Sequence, residues 1–570
     1  MRNSTQHGVG RRQIAAWSSE TTWPSGPRAF GSGLAARKPL GLAAVIMIRA
    51  VHGSIGRPQS WWPRLALAAA IAWCAATTSH AQTTWYWSGN GTTIGGSGTW
   101  DTTTAHFGSE TSAPFNHVWN NTTNAADIAD FRTTVGTVTV QGGGISVGTI
   151  NPIAASGTNS WVFTGGTITL GSALGVTTPG NQTNAKFENN IAIPNNVSFF
   201  YRGSGSTLNI SGQLSGTGKV VNEPGNTSHT LTLTGNNSGW SGGMNIGASS
   251  GLNLVLGHNS ALGTGLVEMG QINPVISATT PLTIANNFSY SAQGSLGTSR
   301  TVTLSGNHAM TFNGTLGLNG GSNPTNVGFT VTSSEVMTWN GAITQDSPTV
   351  FRSFLKRGAG TMVLGGANTY RGNTLVEAGT LLVNGTHTSV STSSVNVSVG
   401  ATLGGTGSIG GATAAIEGTL APGLAGQLGT FSFAGNDVSF ASGGSLLAQL
   451  NSNPAVFTSD LLAISGASSS LVLGGTSILD LVGPASFTTA GTYTLATFLS
   501  GSRTGEFTTV NYNGTPMLTP TAVGGVTANG QLVYNADSIQ LVVVPEPTAL
   551  ALAAAGAALS GLVAWRRRRG

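Results

Sequence analysis

"LKRGAGTMVLGGANTYRGNTLVEAGTLLVNG", from Leu355 to Gly385, carries the pattern that decides the fold. Its short alternations "TMVL", "TLVE" and "TLLV" send every second side chain to one face, as β-strands do. Gly-Asn-type turns stand between them, and their glycines supply the positive φ values that sharp corners need. A single unit of this kind cannot bury its apolar face, whereas one coil stacked on the next can. The expected outcome is an all-β chain wound as a parallel β-helix. Its asparagines and threonines should line up between coils, like the side-chain ladders of stacked strands.

The pattern recurs. In "LTLTGNNSGWSGGMNI", Leu231 to Ile246, the residues Leu233, Gly235, Asn237, Trp240, Gly242 and Ile246 align with Leu364, Gly366, Asn368, Tyr370, Gly372 and Val376, with one extra residue at Gly239. A fainter copy, "VTLSGNHAMTFNGTL", runs from Val302 to Leu316. The irregular spacing of the anchoring glycines (Gly235, Gly306 and Gly366) implies several coils between clear copies. Coils of about 20 residues would turn 82–544 into a rod on the order of 110 Å. Longer strands from Leu447 to Val544 suggest a separate β cap at its end.

Composition agrees. Glycine numbers 84 of 570 residues, only 7% are charged and 39% are apolar, which excludes the charged, hydrophobe-poor class of disordered chains. The formal charge of +5 comes from the ends: residues 1–81 hold nine cations and one acid, and Arg566 to Arg569 add four more. The remaining body has ten cations against seventeen acids, near −7. A nucleic-acid partner, which needs a basic face, is not expected. The single cysteine, Cys74, lies in a segment expected to be removed, so the body relies on strand pairing without disulfides.

Both ends read as addresses. Arg64, the apolar run Leu65 to Ala76 and Ser79-His80-Ala81 have the layout of a secretory signal, with cleavage between Ala81 and Gln82. Residues 1–46 precede any signal and fit a start assigned too early, Met47 being the better one. At the other end Pro545-Glu546-Pro547 leads into Thr548 to Trp565, 18 uncharged residues. As a helix these reach about 27 Å, just enough for a bilayer core. Arg566, Arg567, Arg568 and Arg569 would stay cytoplasmic, leaving the body outside. The prolines hold the tripeptide extended, open to a processing enzyme.

The tail resembles the PEP-CTERM sorting signal of Gram-negative bacteria, through Pro545, Glu546, Pro547, the span and the arginines. That resemblance implies removal of the tail by exosortase, a membrane-embedded transpeptidase, and a setting in exopolysaccharide-producing, biofilm-forming cells. The central unit resembles the autotransporter-associated β-strand repeat through Lys356, Gly358, Gly360, Thr361, Leu364, Gly366, Asn368, Tyr370, Gly372, Gly379, Thr380 and Leu381. It implies a right-handed β-helical passenger, adhesive or structural. A true autotransporter ends in a β-barrel; this sequence ends in one apolar helical span instead.

Catalysis finds little footing. A polysaccharide-acting enzyme needs clustered carboxylates, and the densest acids are Asp127 and Asp130 beside Arg132, which read as turn-capping residues. His106, His117, His229, His258, His308 and His387 lack metal-ligand spacing and read as surface or turn residues. Neither a hydrolase elbow nor a phosphate loop is present. No metal or cofactor is expected. Trp85, Trp87, Trp100, Phe107, Phe115 and Trp119 fit either an end cap or a platform for sugar rings, the cap being favoured.

The sequence therefore reads as 1–46 ahead of the signal, 47–81 signal peptide, 82–200 N-terminal β segment and cap, 201–446 repeat β-helix, 447–544 C-terminal β segment and 545–570 sorting signal. Expected partners are signal peptidase and exosortase, then exopolysaccharide or a neighbouring cell surface, with the membrane at least transiently. The alternatives are a polysaccharide lyase or hydrolase and a permanently tail-anchored rod.

Overall fold

The computed structural model describes residues 82–569, apart from 154–159, 172–173, 179–183, 202–204, 224–227, 247–250, 271–272, 292–298, 320–325, 389–391, 425, 441, 452, 454–455, 485–486, 488, 518–520, 523–527 and 546–548. The expected signal segment with Ala81, and Glu546 and Pro547 of the tail, lie outside the described residues. Gln82 opens the described chain, and Pro545 ends its last strand.

Each full coil lays strands on three faces in turn. Ser353–Arg357, Thr361–Leu364 and Ala367–Asn368 form one coil, and Thr374–Val376 returns to the first face. On that face Asn326–Val331, Ser353–Arg357, Thr374–Val376 and Ser394–Val397 pair in parallel. The second face pairs Met337–Trp339, Thr361–Leu364, Thr380–Val383 and Thr402–Gly405 in the same way. Parallel strands cannot be joined by a hairpin, and here each connection is the rest of a coil. The architecture is that of a β-solenoid.

Period-two alternation dictates what fills it. Leu208, Leu231, Leu254 and Ile276 stack along the first face. Met310, Met337, Met362, Leu381, Leu403, Leu420, Leu446 and Leu479 stack along the second. All are buried, each contributing about 1.5–3 kcal/mol on removal from water. The core is thus one continuous column, built by side chains that neighbour each other only across coils.

The coils are longer than the expected 20 residues, and unequal. Asn190 Oδ1 accepts from Gln213 N 23 residues on, whereas Asn373 N donates to Ser353 Oγ across 20 and Ser470 N to Asp437 Oδ1 across 33. Strands stay short while corners absorb the difference. From Gly98–Trp100 to Arg503–Thr504 the first face holds seventeen strands among the described residues. At about 4.8 Å per strand this ladder is roughly 80 Å long, short of the 110 Å expected.

Antiparallel strands finish both ends. Ala105–Gly108 pairs antiparallel with Thr84–Trp87 and His117–Val118 at the front. At the back Ser538–Pro545 lies antiparallel between Gly491–Thr497 and Ala528–Tyr534. Parallel coiling extends well past residue 447, to the pairing of Ile478–Val482 with Thr509–Tyr512. A helix, Ala549–Arg567, follows the last strand, and its residues from Gly556 to Arg569 are exposed. Among the described residues no helix is long and apolar enough to cross a membrane, so the expected span is not supported. Alanine and glycine supply much of this helix and arginines close it, which limits its hydropathy.

Candidate functional site at the repeat unit and outer faces

The repeat residues turn inward, toward other coils. Asn368 is buried; its Oδ1 accepts from Ile343 N at 2.9 Å, one coil back, and its Nδ2 donates to Gly366 O at 3.1 Å. Leu364 and Tyr370 are buried, with Tyr370 Oη 2.7 Å from Thr374 Oγ1. Gly366 belongs to a column with Gly341 below and Gly385 above, where a Cβ on any of the three would strike the backbone of the glycine beneath. Gly358 and Gly379 take positive φ, 74° and 66°, a region costly for other residues. Gly360 and Gly372 face the backbones of Ser333 and Arg352 too closely for a side chain.

Lys356 is an unusual part of this unit, being fully buried with its ammonium aimed at main chain. Its Nζ donates to Arg357 O at 3.0 Å, Gly358 O at 2.8 Å and Ala378 O at 2.9 Å, tying two coils. Burial pulls its pKa down to about 8. In the next coil His387 stacks on Tyr370 at 3.8 Å between ring centroids. Desolvation lowers His387 to about 4, opposed by the hydrogen bond to Tyr370 O, and burial raises Tyr370. His387 and His229 are both buried, which corrects the surface reading. Nothing in their sequence spacing marks them; His229 at least alternates with Leu231 and Leu233, whereas His387 stands between Gly385 and Ser389 and has no such signal.

The aligned copies do equal work on different corners. Asn237, like Asn368, is buried and accepts from a backbone N–H of the preceding coil, Leu214 N at 2.7 Å. Yet Gly235 follows the first-face strand His229–Leu233, whereas Gly366 follows the second-face strand Thr361–Leu364. The repeat is therefore a strand-and-corner device usable at more than one corner.

The acids are engaged in contacts within the fold. Asp127 is buried and accepts from Thr83 N at 2.9 Å, Trp85 Nε1 at 2.9 Å and Asn124 Nδ2 at 2.8 Å. Asp130 is held by Arg132 through Nε at 2.5 Å and a second guanidinium nitrogen at 2.6 Å, and Arg132 lies over the Tyr86 ring. Glu268 pairs with Lys219 at 2.7 Å and Glu377 with Arg357 at 2.6 Å. Among the described residues no three His, Cys, Asp or Glu side chains gather as a metal site.

The front aromatics pack on one another. Trp87, Trp100, Phe107, Phe115 and Trp119 are buried, with Trp100 edge-on to Trp119 at 5.2 Å and Phe131 edge-on to Trp161 at 5.5 Å. Trp85 stacks on His117 at 3.6 Å. The five buried rings plug the first coils and offer no face to sugar, while Trp85 stays half-buried at their edge.

On the outer faces hydroxyls and amides pair between coils. Thr207 Oγ1 donates to Asn184 Oδ1 at 2.6 Å, Thr330 Oγ1 to Thr301 Oγ1 at 2.9 Å and Asn340 Nδ2 to Asn313 Oδ1 at 3.1 Å.

Comparison with known proteins matches these same coils. Residues 229–248 and 354–383 fit the Passenger-associated-transport-repeat family. Two stretches of the chain are thus similar to that repeat. It is also 29% identical over 276 residues to the Adhesin BmaC autotransporter of Brucella suis biovar 1 (strain 1330), a match covering 45% of this chain. The chain spans about 6% of that relative's length. The repeat matches enclose Asn237, Trp240, Lys356, Asn368 and Tyr370, the residues that fasten coil to coil.

Proposed function

We propose that this chain is an exported, non-enzymatic β-solenoid that acts as an adhesive or structural element of the cell surface or extracellular matrix. The observation that carries this reading is the inward use of the repeat. Its asparagines, glycines and lysine hold coils together, while the outer faces present neutral hydrogen-bonding groups. Contact with polysaccharide or another cell would then arise from many weak bonds along the ladder. The likeness to part of an adhesin supports the same role.

The ends are proposed to direct export. Signal peptidase would cut between Ala81 and Gln82, and exosortase would recognise Pro545, Glu546, Pro547 and the cluster Arg566 to Arg569. The paired strand Ser538–Pro545 supports this reading, since a cut just beyond it removes the helix and leaves the cap's pairing whole.

Deleting the gene and restoring it tests the role, with cell aggregation and matrix retention as readouts. Loss on deletion and recovery on complementation are expected. Unchanged aggregation, together with release of unsaturated or reducing ends from polysaccharide by the purified protein, would overturn the reading in favour of an enzyme. Mass spectrometry of the mature termini tests the sorting step: Gln82 first and an end near Pro545 are expected. Retention of Arg566 to Arg569 would leave a tail-anchored rod.

A further inference from the structure

The corner between the second and third faces changes character late in the solenoid. Two residues cross it from Leu364 to Ala367, from Val383 to Thr386 and from Gly405 to Ser408. In the next three coils it widens to 423–429, 450–460 and 483–490. Insertions stacked on one side of a solenoid commonly build its binding surface. Described residues at this corner, Leu428, Gln449, Leu450, Asn451, Val482 and Pro484 among others, line an open cleft of about 380 Å³, within the range of small-molecule sites (~300–1,000 Å³).

The cleft is braced. Gln449 Oε1 accepts from Gly426 N at 3.0 Å and its Nε2 donates to Leu424 O at 3.0 Å, joining consecutive insertions. Asp460, buried beneath, accepts from Gly429 N at 2.9 Å, Gln449 N at 2.9 Å and Gln449 Nε2 at 3.1 Å. Tyr512 Oη donates to Pro484 O at 2.5 Å from the coil beyond. Such bracing lowers the ordering cost of binding. Leu428 and Val456 on these insertions, and Val482 at the end of the strand before the last of them, nevertheless remain exposed, apolar surface that internal packing does not use.

The lining specifies the occupant. Among the described residues no charged side chain lines the cleft, and the Asp460 carboxylate beneath it is taken up by two backbone N–H groups and the Gln449 amide. An anionic ligand would find no cation there and a cationic one no free acid. An extended peptide would need an open strand edge, but Thr430–Ala434 pairs on both sides, with Ser408–Gly410 and Leu461–Ser465. Apolar walls alternating with amide and backbone groups suit a ring that carries C–H faces and neutral hydroxyls.

The geometry points to a binding site for a neutral saccharide unit at this corner, a local anchor within the adhesive reading on which it rests. The probes are cellohexaose, maltohexaose and mannohexaose, with an oligouronate and an extended peptide as comparisons, titrated into the purified full-length protein by calorimetry and saturation-transfer NMR. A saturable signal with at least one neutral hexaose is expected, with Kd raised about tenfold or more in Leu428→Asp and Val482→Asp. Val399→Asp, an exposed control elsewhere on the solenoid, should leave binding unchanged.

Absence of saturable binding by every neutral hexaose, equal loss in Val399→Asp, or preference for the oligouronate or the peptide would each overturn the assignment. Aggregation assays with the same variants separate the two claims. Aggregation kept by Leu428→Asp and Val482→Asp while hexaose binding is absent removes the cleft and leaves the adhesive reading standing.

Discussion

His387 lies flat on Tyr370, with 18° between the rings, and its Nε2 sits 2.9 Å from Tyr370 O. A carbonyl only accepts, so Nε2 carries the hydrogen and donates. Nδ1 is buried without a hydrogen-bond partner, which suits a lone pair and not a second proton. The neutral ring is built into the repeat coils.

Acid should therefore loosen these coils. Unfolded, the imidazole takes its proton near 6.5; folded, it resists until about 4. Between those values the unfolded chain holds more protons, so stability falls as pH drops through this window. The loss reaches at most about 3 kcal/mol. His387→Phe keeps the stack and removes the titration. Hydrogen-exchange protection at Thr386 and Ile409, taken relative to the intrinsic rate at each pH, should fall from pH 7 to 4 in the parent and stay flatter in the variant. Parallel pH profiles would contradict the assignment.

Lys356 predicts the opposite end of the scale. Its folded value of about 8 lies below the ordinary 10.5, so the unfolded state holds the extra proton between them. Stability contributed by this residue rises as pH climbs from about 8 to 10.5, by at most about 3 kcal/mol. The three carbonyls favour the charged form and temper the gain. Chemical denaturation of the parent against Lys356→Met across this range should show the parent gaining. A constant difference between the two would argue against a desolvated ammonium.

Removing the coil-to-coil asparagine should cost similar amounts at both copies, although they sit on different corners. Asn368→Ala strands Ile343 N and Asn237→Ala strands Leu214 N, each about 1–3 kcal/mol for an unpaired buried donor. Because solenoid coils depend mainly on their neighbours, protease susceptibility should rise around the altered coil. A change confined to one of the two variants would break the equivalence.

This equivalence marks what sequence can carry. Gly366, Asn368 and Tyr370 were legible because each local strand-and-corner pattern encodes its own turn and its own inward side chain. The corner a copy would occupy was not legible. That depends on how many residues intervening coils contain, and these vary from 20 to 33. Aromatic residues at the front were ambiguous for a related reason: alternation shows that Trp87 and Trp100 share a pattern, but only stacking shows them closed over by Trp119 and Phe131. His387 was misread because a histidine donating one proton to a carbonyl is locally indistinguishable from one in water.

Asp127 offers the sharpest contrast between capping and chemistry. Its carboxylate holds Thr83 N, Trp85 Nε1 and Asn124 Nδ2, so it fixes the first strand to the aromatic plug. Asp127→Ala leaves three donors without their acceptor and should destabilise the front coils by a few kcal/mol, with Trp85 fluorescence shifting red as its ring meets water. Asp127→Asn keeps an acceptor oxygen and should recover part of that loss. A catalytic carboxylate would respond differently, because Asn cannot replace it in acid–base work. Partial structural rescue by Asn, with adhesion following fold, is the expected result; an unchanged fold accompanied by loss of any polysaccharide cleavage would assign Asp127 to chemistry instead.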